Sequence, residues 1–207
     1  MFLVIGLGNP GKKYENTRHN AGRILIDKIA QKIIYPPDDE CFEMSKKLHA
    51  QICKTNAGSD DLVLAKTEAF MNETGPVVRK LLDYFKAEPS KIVIASDDTY
   101  LKLGQSRIKF GGESGGHKGL ESIIGAIGKD FWRIRIGIGE KTVFKLEDFV
   151  LQKFSSLERK ILDETIDKTA EDLVLSISQG QMINKTVGAS RQARGDCTTK
   201  ENDGEDS

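Results

Sequence analysis

The chain has 207 residues, of which 31 are basic and 31 acidic, and four of the acidic residues lie in the segment 201–207. The remainder is therefore mildly basic, which supports contact with nucleic acid only weakly, while the length suits one domain and a tail. The three cysteines, Cys41, Cys53 and Cys197, are odd in number and irregular in spacing, and so imply neither a disulfide framework nor a zinc site.

The first predicted element is a buried strand over residues 2–5, an uninterrupted apolar run that enters a glycine turn. Residues 1–5 lack the basic leader of a signal peptide, and the apolar run stops at Gly6. No stretch of the sequence is suited to crossing a membrane. We therefore expect a cytoplasmic protein without a membrane partner.

A helix and a hairpin are predicted next. Apolar residues at three- and four-residue spacing indicate an amphipathic helix from residue 20 to about 34, which Pro36 and Pro37 end. Two strand-like runs, 43–54 and 62–67, flank a turn-rich segment and predict a hairpin. Because a hairpin pairs antiparallel strands, the sheet should be mixed.

The second half of the chain alternates strands with helices. From Trp132 to Ile138, apolar residues alternate with arginine and glycine, which indicates a strand whose two faces differ sharply in polarity. The elements predicted before it are a helix over 76–86, a strand over 91–95 that ends at Ser96-Asp97-Asp98, a strand over 103–110, a glycine loop over 111–116 and a helix through 120–127.

The last predicted element is a long amphipathic helix. Ser155 and Glu158 have the spacing of a capping box at the start of an apolar stripe that ends at Ile177. From about Lys185 this periodicity disappears and the chain is polar. The whole pattern predicts an α/β fold: a single domain over residues 1–184, with a twisted mixed β-sheet flanked by helices, and a disordered tail over residues 185–207.

Polar side chains cluster after the first strand, where the chain passes from turn to helix and where side chains can converge on a ligand. The dipeptide Asp97-Asp98 ends a later strand, and a carboxylate there that accepts the Nδ1 proton of His19 would leave Nε2 free to take a proton from water. Such a pair needs neither a metal nor a serine. Asn9 and Asn72 offer amide donors for an oxyanion, or else they hydrogen-bond within their own turns. The cluster consists of Tyr14, Asn16, Arg18, His19 and Asn20.

Two glycine motifs suggest other functions. Gly6-x-Gly8-x-x-Gly11 follows a strand, as in dinucleotide-binding folds, but several polar residues separate it from the helix. The run Gly-Glu-Ser-Gly-Gly at 112–116 has the spacing of a nucleophile elbow. Only His117 lies downstream of Ser114, and three residues are too few to complete that triad. Neither a nicotinamide or flavin site nor a serine hydrolase is favoured.

Six motifs occur together in one order along the sequence. They are Gly-Leu-Gly-Asn-Pro-Gly at 6–11 with Tyr14, Thr-Arg-His-Asn-Ala-Gly at 17–22, Phe-Met-Asn at 70–72, Asp97, Gly-Gly-His at 115–117 and Arg-Ile-Gly-Ile-Gly at 135–139. In order and approximate spacing this set resembles the bacterial-type peptidyl-tRNA hydrolases, over residues 2 to about 180. Six motifs in register are hard to obtain by chance.

The resemblance implies a single α/β domain that cleaves the ester joining a peptide to its tRNA. It implies peptidyl-tRNA as the partner, a monomer, and no cofactor or metal. The implied roles are His19 as general base, Asp97 as its orienting partner, Asn9 and Asn72 on the scissile ester and peptide backbone, Tyr14 and Met71 lining the cleft, Lys118 binding substrate, and Lys109 and Arg135 binding tRNA phosphate.

The sequence departs from the family pattern at Lys118. The family usually has asparagine there, where it binds substrate and positions water. Lysine keeps a donor but loses the acceptor and adds a charge, which bears on the rate. Because some organellar proteins of this type act as RNA-splicing factors, an RNA-binding module with a relict site stays open as an alternative, and a nucleotide-dependent oxidoreductase is the third.

Overall fold

The computed structural model describes residues 1–34, 41–139 and 145–188. These residues form one eight-stranded sheet with helices on both faces. In chain order the elements are β1 (Phe2–Gly6), α1 (Ala21–Ile33), β2 (Glu43–Ser45), β3 (Ala50–Ala57), β4 (Asp60–Thr67), α2 (Thr74–Phe85), β5 (Ile92–Asp98), β6 (Gln105–Phe110), α3 (Lys118–Ile127), β7 (Trp132–Gly137), α4 (Leu146–Val150), α5 (Ser156–Ser178) and β8 (Lys185–Gly188).

The sheet is parallel at its centre and antiparallel at its edges, which confirms the predicted mixed sheet. Its strand order is β2-β3-β4-β1-β5-β7-β6-β8. β1 pairs in parallel with β4 and β5, and β5 pairs in parallel with β7. β3 pairs antiparallel with β2 and β4, and β6 with β7 and β8. The carboxyl ends of β1 and β5 therefore meet at one sheet edge, where α/β folds bind ligands.

Two hydrophobic layers cover the sheet. Val4 of β1 packs with α1 and α5, whereas its neighbours Leu3 and Ile5 pack with α2 and α3. Because both faces of β1 are buried, its sequence is an uninterrupted apolar run. The alternation predicted in β7 is also found, with Ile134 and Ile136 in the layer of α1 and α5.

The predicted capping box forms at the start of α5. Ser155 Oγ accepts a hydrogen bond from the Glu158 amide, and the Glu158 carboxylate accepts one from the Ser155 amide. Elsewhere one predicted strand is divided. The strand expected over 43–54 is two strands, β2 and β3, because the chain turns at His49 with a φ of 52°. The expected helix end at Pro36-Pro37 lies outside the described residues.

The predicted end of the domain at residue 184 is wrong, because the next four residues form β8 and pair antiparallel with β6. This strand is short and exposed, and only Val187 in it is buried, so its sequence has no apolar periodicity. The rest of the predicted tail, 189–207, lies outside the described residues. No helix in the described part of the chain is long and apolar enough to cross a membrane.

Candidate active site

A short 3-10 turn, Arg18–Asn20, carries His19 to the carboxyl end of β5. Gly22 permits this approach, because a Cβ there would lie only 2.2 Å from the carbonyl oxygen of Ala95. His19 Nδ1 lies 2.8 Å from Asp97 Oδ1. The structure therefore brings together the two residues that the sequence predicted as base and orienting partner.

His117 contacts the same carboxylate oxygen, a role that the sequence did not assign. Its Nε2 lies 2.9 Å from Asp97 Oδ1, and its Nδ1 accepts hydrogen bonds from the amides of Gly119 and Leu120 as the N-cap of α3. Since Nδ1 is an acceptor, the proton of the neutral ring sits on Nε2, which donates to Asp97. We call His19, Asp97 and His117 the relay.

The relay leaves one ring nitrogen available. Asp97 Oδ1 accepts from both histidines, so the Nδ1 proton of His19 is held and its Nε2 has no hydrogen-bond partner within the described residues. Burial lowers the pKa of His19, but the charge and hydrogen bond of Asp97 outweigh burial and raise that pKa above its usual value. Burial also raises the pKa of Asp97, but the two histidines lower it below its usual range. Asp97 is therefore ionised at neutral pH.

The relay is also the one group of nearby metal-ligand side chains in the part of the chain that the structure describes. A metal would need an unprotonated nitrogen on each ring. His117 offers none, because its Nδ1 already accepts two amide protons and its Nε2 carries the ring proton. The arrangement fits hydrogen bonding to Asp97 better than coordination of a cation.

Asn9 is buried, and hydrogen bonds fix both its main chain and its side chain. Its main chain exchanges two hydrogen bonds with the side chain of Asn20, at 2.9 and 3.0 Å. Its Oδ1 accepts from the amide of Met71 at 3.0 Å. The Nδ2 group is therefore left to donate, and it has no partner among the described residues.

His19 and Asp97 line an open cleft. The first residue of α3, Lys118, also lines it, with its side chain 67% exposed and its Nζ 3.4 Å from Glu121 Oε2. This placement agrees with its predicted position at the substrate. The remaining lining residues are Asp98, Thr99, Arg135, the loop residues Ser114, Gly115, Gly116 and His117, and, from α4, Leu146, Glu147 and Val150.

The three other predicted substrate residues lie outside the lining of this cleft. Met71 is only 5% exposed and its sulfur packs beside Gly119, so its predicted contact with substrate stays a prediction. Its amide orients Asn9. Asn72 is exposed in the same turn, and Tyr14 packs edge-on against Phe70 at 6.4 Å.

The predicted phosphate residues are divided between two surfaces. Arg135 lines the cleft, where its Nε donates to Asp98 Oδ2 at 2.8 Å. Lys109 is exposed on the same face of β6 and β7 but lines a separate groove of about 410 Å³. Arg107, which the sequence did not single out, lies directly opposite Arg135 and beside Lys109. We call Arg107, Lys109 and Arg135 the cationic face.

Most of the polar cluster predicted around His19 does not face the cleft. Arg18 is buried and donates to the carbonyl of Ile138 and to Glu158. Asn20 is buried against Asn9, and Asn16 accepts a hydrogen bond from Arg159. Polar residue type alone did not separate these supporting side chains from the one that reacts.

The comparisons with known proteins agree with this geometry. The family model described as peptidyl-tRNA hydrolase matches residues 3–195. A peptidyl-tRNA hydrolase of Rickettsia bellii (strain RML369-C) is 39% identical over 176 residues, which are 84% of this chain and 92% of that protein. One of Carboxydothermus hydrogenoformans is 35% identical over 188 residues, 90% of this chain and 96% of that protein.

A solved structure gives the same result at the level of the fold. The crystal structure of peptidyl-tRNA hydrolase from Acinetobacter baumannii superposes with a TM-score of 0.79 and 34% sequence identity. The match covers 87% of this chain and 89% of that one. The sequence matches and the shared architecture together establish that this chain belongs to the peptidyl-tRNA hydrolase family.

Proposed function

We propose that this protein hydrolyses the ester bond that joins a peptide to the terminal ribose of tRNA. The observation that carries the proposal is the 2.8 Å contact between His19 Nδ1 and Asp97 Oδ1 beside an open cleft. Family membership and the names of the relatives support peptidyl-tRNA as the substrate. A cytoplasmic location and a monomeric state stay predictions from the sequence.

In this mechanism His19 is the general base. Its Nε2 takes a proton from water while the water oxygen attacks the ester carbonyl carbon. Asp97 holds the Nδ1 proton in place and stabilises the imidazolium that forms. His117 fixes the orientation of the Asp97 carboxylate, because its own Nε2 proton is directed at the same oxygen.

The tetrahedral intermediate carries a negative charge that needs a donor. Asn9 Nδ2 would supply it, since the Met71 amide holds the Asn9 carboxamide and no described residue pairs with its NH₂ group. When the intermediate collapses, the bond to the ribose oxygen breaks and the His19 imidazolium gives its proton to that oxygen. The products are a peptide carboxylic acid and a tRNA hydroxyl, so water is the sole co-reactant and no cofactor is needed.

Charged residues beside and beyond the relay would hold the nucleic-acid part of the substrate. Arg135 and Lys118 line the cleft next to the relay, and Lys109 extends the positive charge along β6. Tyr14 and Asn72 lie near the segments that contact Asn9 and would bind the peptide side.

The alternative of an RNA-binding module predicts binding without turnover. The purified protein should be incubated with N-acetyl-aminoacyl-tRNA and, in parallel, with unblocked aminoacyl-tRNA. We expect release of the blocked amino acid well above the uncatalysed rate and a much slower effect on the unblocked ester. Tight binding with no release of either amino acid would contradict the proposed function and favour the RNA-binding alternative.

A further inference from the structure

Arg18 immediately precedes His19, but its side chain is buried and does not line the cleft. Its Nη1 donates to the carbonyl oxygen of Ile138 and its Nη2 to Glu158 Oε1, both at 2.7 Å. The rings of Phe149 and Phe154 lie 4.6 and 4.9 Å from the guanidinium carbon. One side chain therefore joins the turn that carries His19 to the end of β7, to α4, to the α4–α5 connection and to the first turn of α5.

Through its contact with Ile138, Arg18 is connected to the strand that carries Asp97, the proposed partner of the base. The amide of Ile138 donates to the carbonyl oxygen of Asp98 at 3.3 Å. The residue before His19 is thus connected, through Ile138, to the residue after Asp97. These two hydrogen bonds tie the turn that carries His19 to the strand that carries Asp97.

The same guanidinium supports a wall of the cleft. Phe149 belongs to α4, whose residues Leu146, Glu147 and Val150 line the cleft.

The ion pair with Glu158 also persists into mildly acidic conditions. Burial raises the pKa of Glu158, but hydrogen bonds from Ser155 and Arg18 outweigh burial and lower that pKa below its usual value.

We propose that Arg18 is a positioning residue, whose guanidinium fixes the His19 turn against the strand edge that carries Asp97 and so sets the geometry of their hydrogen bond. This inference rests on the role proposed for His19. A lysine at position 18 has one compact ammonium, which cannot donate to Ile138 and Glu158 in the same fork geometry. Because a displacement of 1 Å can reduce a rate by up to about 10²-fold, Arg18→Lys should slow the chemical step.

Arg23 provides a matched control. Its Nη1 donates to the carbonyl oxygen of Thr67 and its Nη2 to Glu68 Oε1 at 2.9 Å, so it makes the same two kinds of contact as Arg18. Its side chain is also mostly buried. Arg23→Lys should therefore lower the melting temperature about as much as Arg18→Lys, without disturbing the relay.

Two measurements separate positioning from general stabilisation. The first is an NMR titration of the histidine rings, which does not require activity; His19→Ala identifies the His19 resonance. Asp97 raises the pKa of His19, so a loosened contact in Arg18→Lys should lower that pKa, whereas Arg23→Lys should leave it unchanged. The second is single-turnover hydrolysis of N-acetyl-aminoacyl-tRNA, in which only Arg18→Lys should slow the chemical step.

Glu158→Gln keeps the proposal testable if Arg18→Lys does not fold. The substitution keeps an oxygen that can accept from Arg18 and removes only the charge, so we expect a smaller change in the same direction. The double variant Arg18→Lys/Glu158→Gln should lose no more than Arg18→Lys alone, because both changes act through one contact.

The outcomes distinguish this proposal from the proposed function. If the native protein shows no hydrolysis, the proposed function fails, while the NMR titration still decides whether Arg18 sets the His19 contact. If the native protein is active, and Arg18→Lys or Glu158→Gln matches it in both the His19 pKa and the single-turnover rate, the positioning role is wrong. Equal changes in Arg18→Lys and Arg23→Lys would show that both arginines only stabilise the fold.

Discussion

Asp97 and Arg135 lie on adjacent strands, β5 and β7, and both line the cleft, yet their surroundings differ. Asp97 is 3% exposed, and its Oδ1 accepts a hydrogen bond from each of two histidines. On the cationic face, Arg107 and Lys109 are exposed and have no hydrogen-bond or ion-pair partner within the described residues. The histidines and the carboxylate of the relay are paired with one another, whereas two of the three cations on the cationic face, Arg107 and Lys109, have no partner in the described part of the chain and only Arg135 is ion-paired, with Asp98.

The difference follows from what each region must do. Base catalysis requires that the histidine keep one tautomer and one ring orientation, which buried and mutually paired groups can hold. Attraction of phosphate requires open cations, and it is weakened by salt because exposed charges are screened. Changes in the relay should therefore alter the rate at any salt concentration, whereas changes in the cationic face should alter the salt dependence of binding.

The largest effect is expected from His19→Ala. General-base assistance contributes about 10²–10⁴-fold, so the variant should lose nearly all hydrolysis. Single-turnover assays with N-acetyl-aminoacyl-tRNA measure this loss, and the salt dependence of tRNA binding should not change. His49→Ala is the control, because His49 is the remaining histidine of three and is exposed outside the cleft. A His19→Ala protein with half the native rate would rule out the assignment.

Asp97→Asn should greatly reduce the rate of hydrolysis, but by less than His19→Ala does. The amide removes the charge that stabilises the imidazolium, so we expect a loss on the order of 10²-fold, at the low end of the contribution of general-base assistance. The same change should lower the pKa of His19, since burial then acts without the opposing carboxylate. An unchanged rate, or a raised His19 pKa, would contradict the relay.

Smaller effects, confined to binding, are expected from the cationic face. Each of Lys109→Ala and Arg135→Ala should reduce the slope of log affinity against log salt by about one. Arg135→Ala should also lower the melting temperature, because it removes a partner of the buried Asp98, whereas Lys109→Ala should not. Lys80→Ala, an exposed lysine on α2, is the control. If these variants lost as much activity on a minimal ester that lacks the tRNA body as on the tRNA substrate, a role in binding phosphate would be contradicted.

The smallest effect is expected from Lys118→Asn. Lysine can donate but not accept, whereas asparagine does both, so the variant should position water better and speed the chemical step a few-fold. Single-turnover kinetics separate this outcome from weaker binding, which would instead show that the ammonium contacts a phosphate. Because Lys118 is exposed and its ammonium pairs within the described residues with Glu121 alone, at 3.4 Å, stability should not change. If the native protein and Lys118→Asn bind substrate equally and react at the same rate, Lys118 neither limits water positioning nor contacts a phosphate.

The central fold and the reacting pair could be predicted because their causes are local in sequence. The apolar run of β1 indicates a strand buried on both faces, and Asp97 ends a second apolar strand. Carboxyl ends of adjacent parallel strands meet at one edge, which brings Asp97 to the segment that carries His19. The family motifs then selected Asp97, and not its neighbour Asp98, as the partner of His19.

What the sequence missed depends on the three-dimensional structure. Arg18 and His19 are adjacent polar residues, and only the packing of Phe149 and Phe154 shows that one of them is buried. The role of His117 required knowing both where α3 begins and that Asp97 lies next to it. β8 is too short for a periodic pattern and forms only because β6 offers an unpaired edge.

The most direct test of the central claim is the pH dependence of kcat/KM, measured together with the NMR titration of His19. A base must be unprotonated, so activity should rise with pH through the pKa of His19. Because Asp97 raises that pKa, the midpoint should lie above the usual value of about 6.5 and coincide with the His19 titration. An acid limb that does not follow the His19 titration would contradict the account.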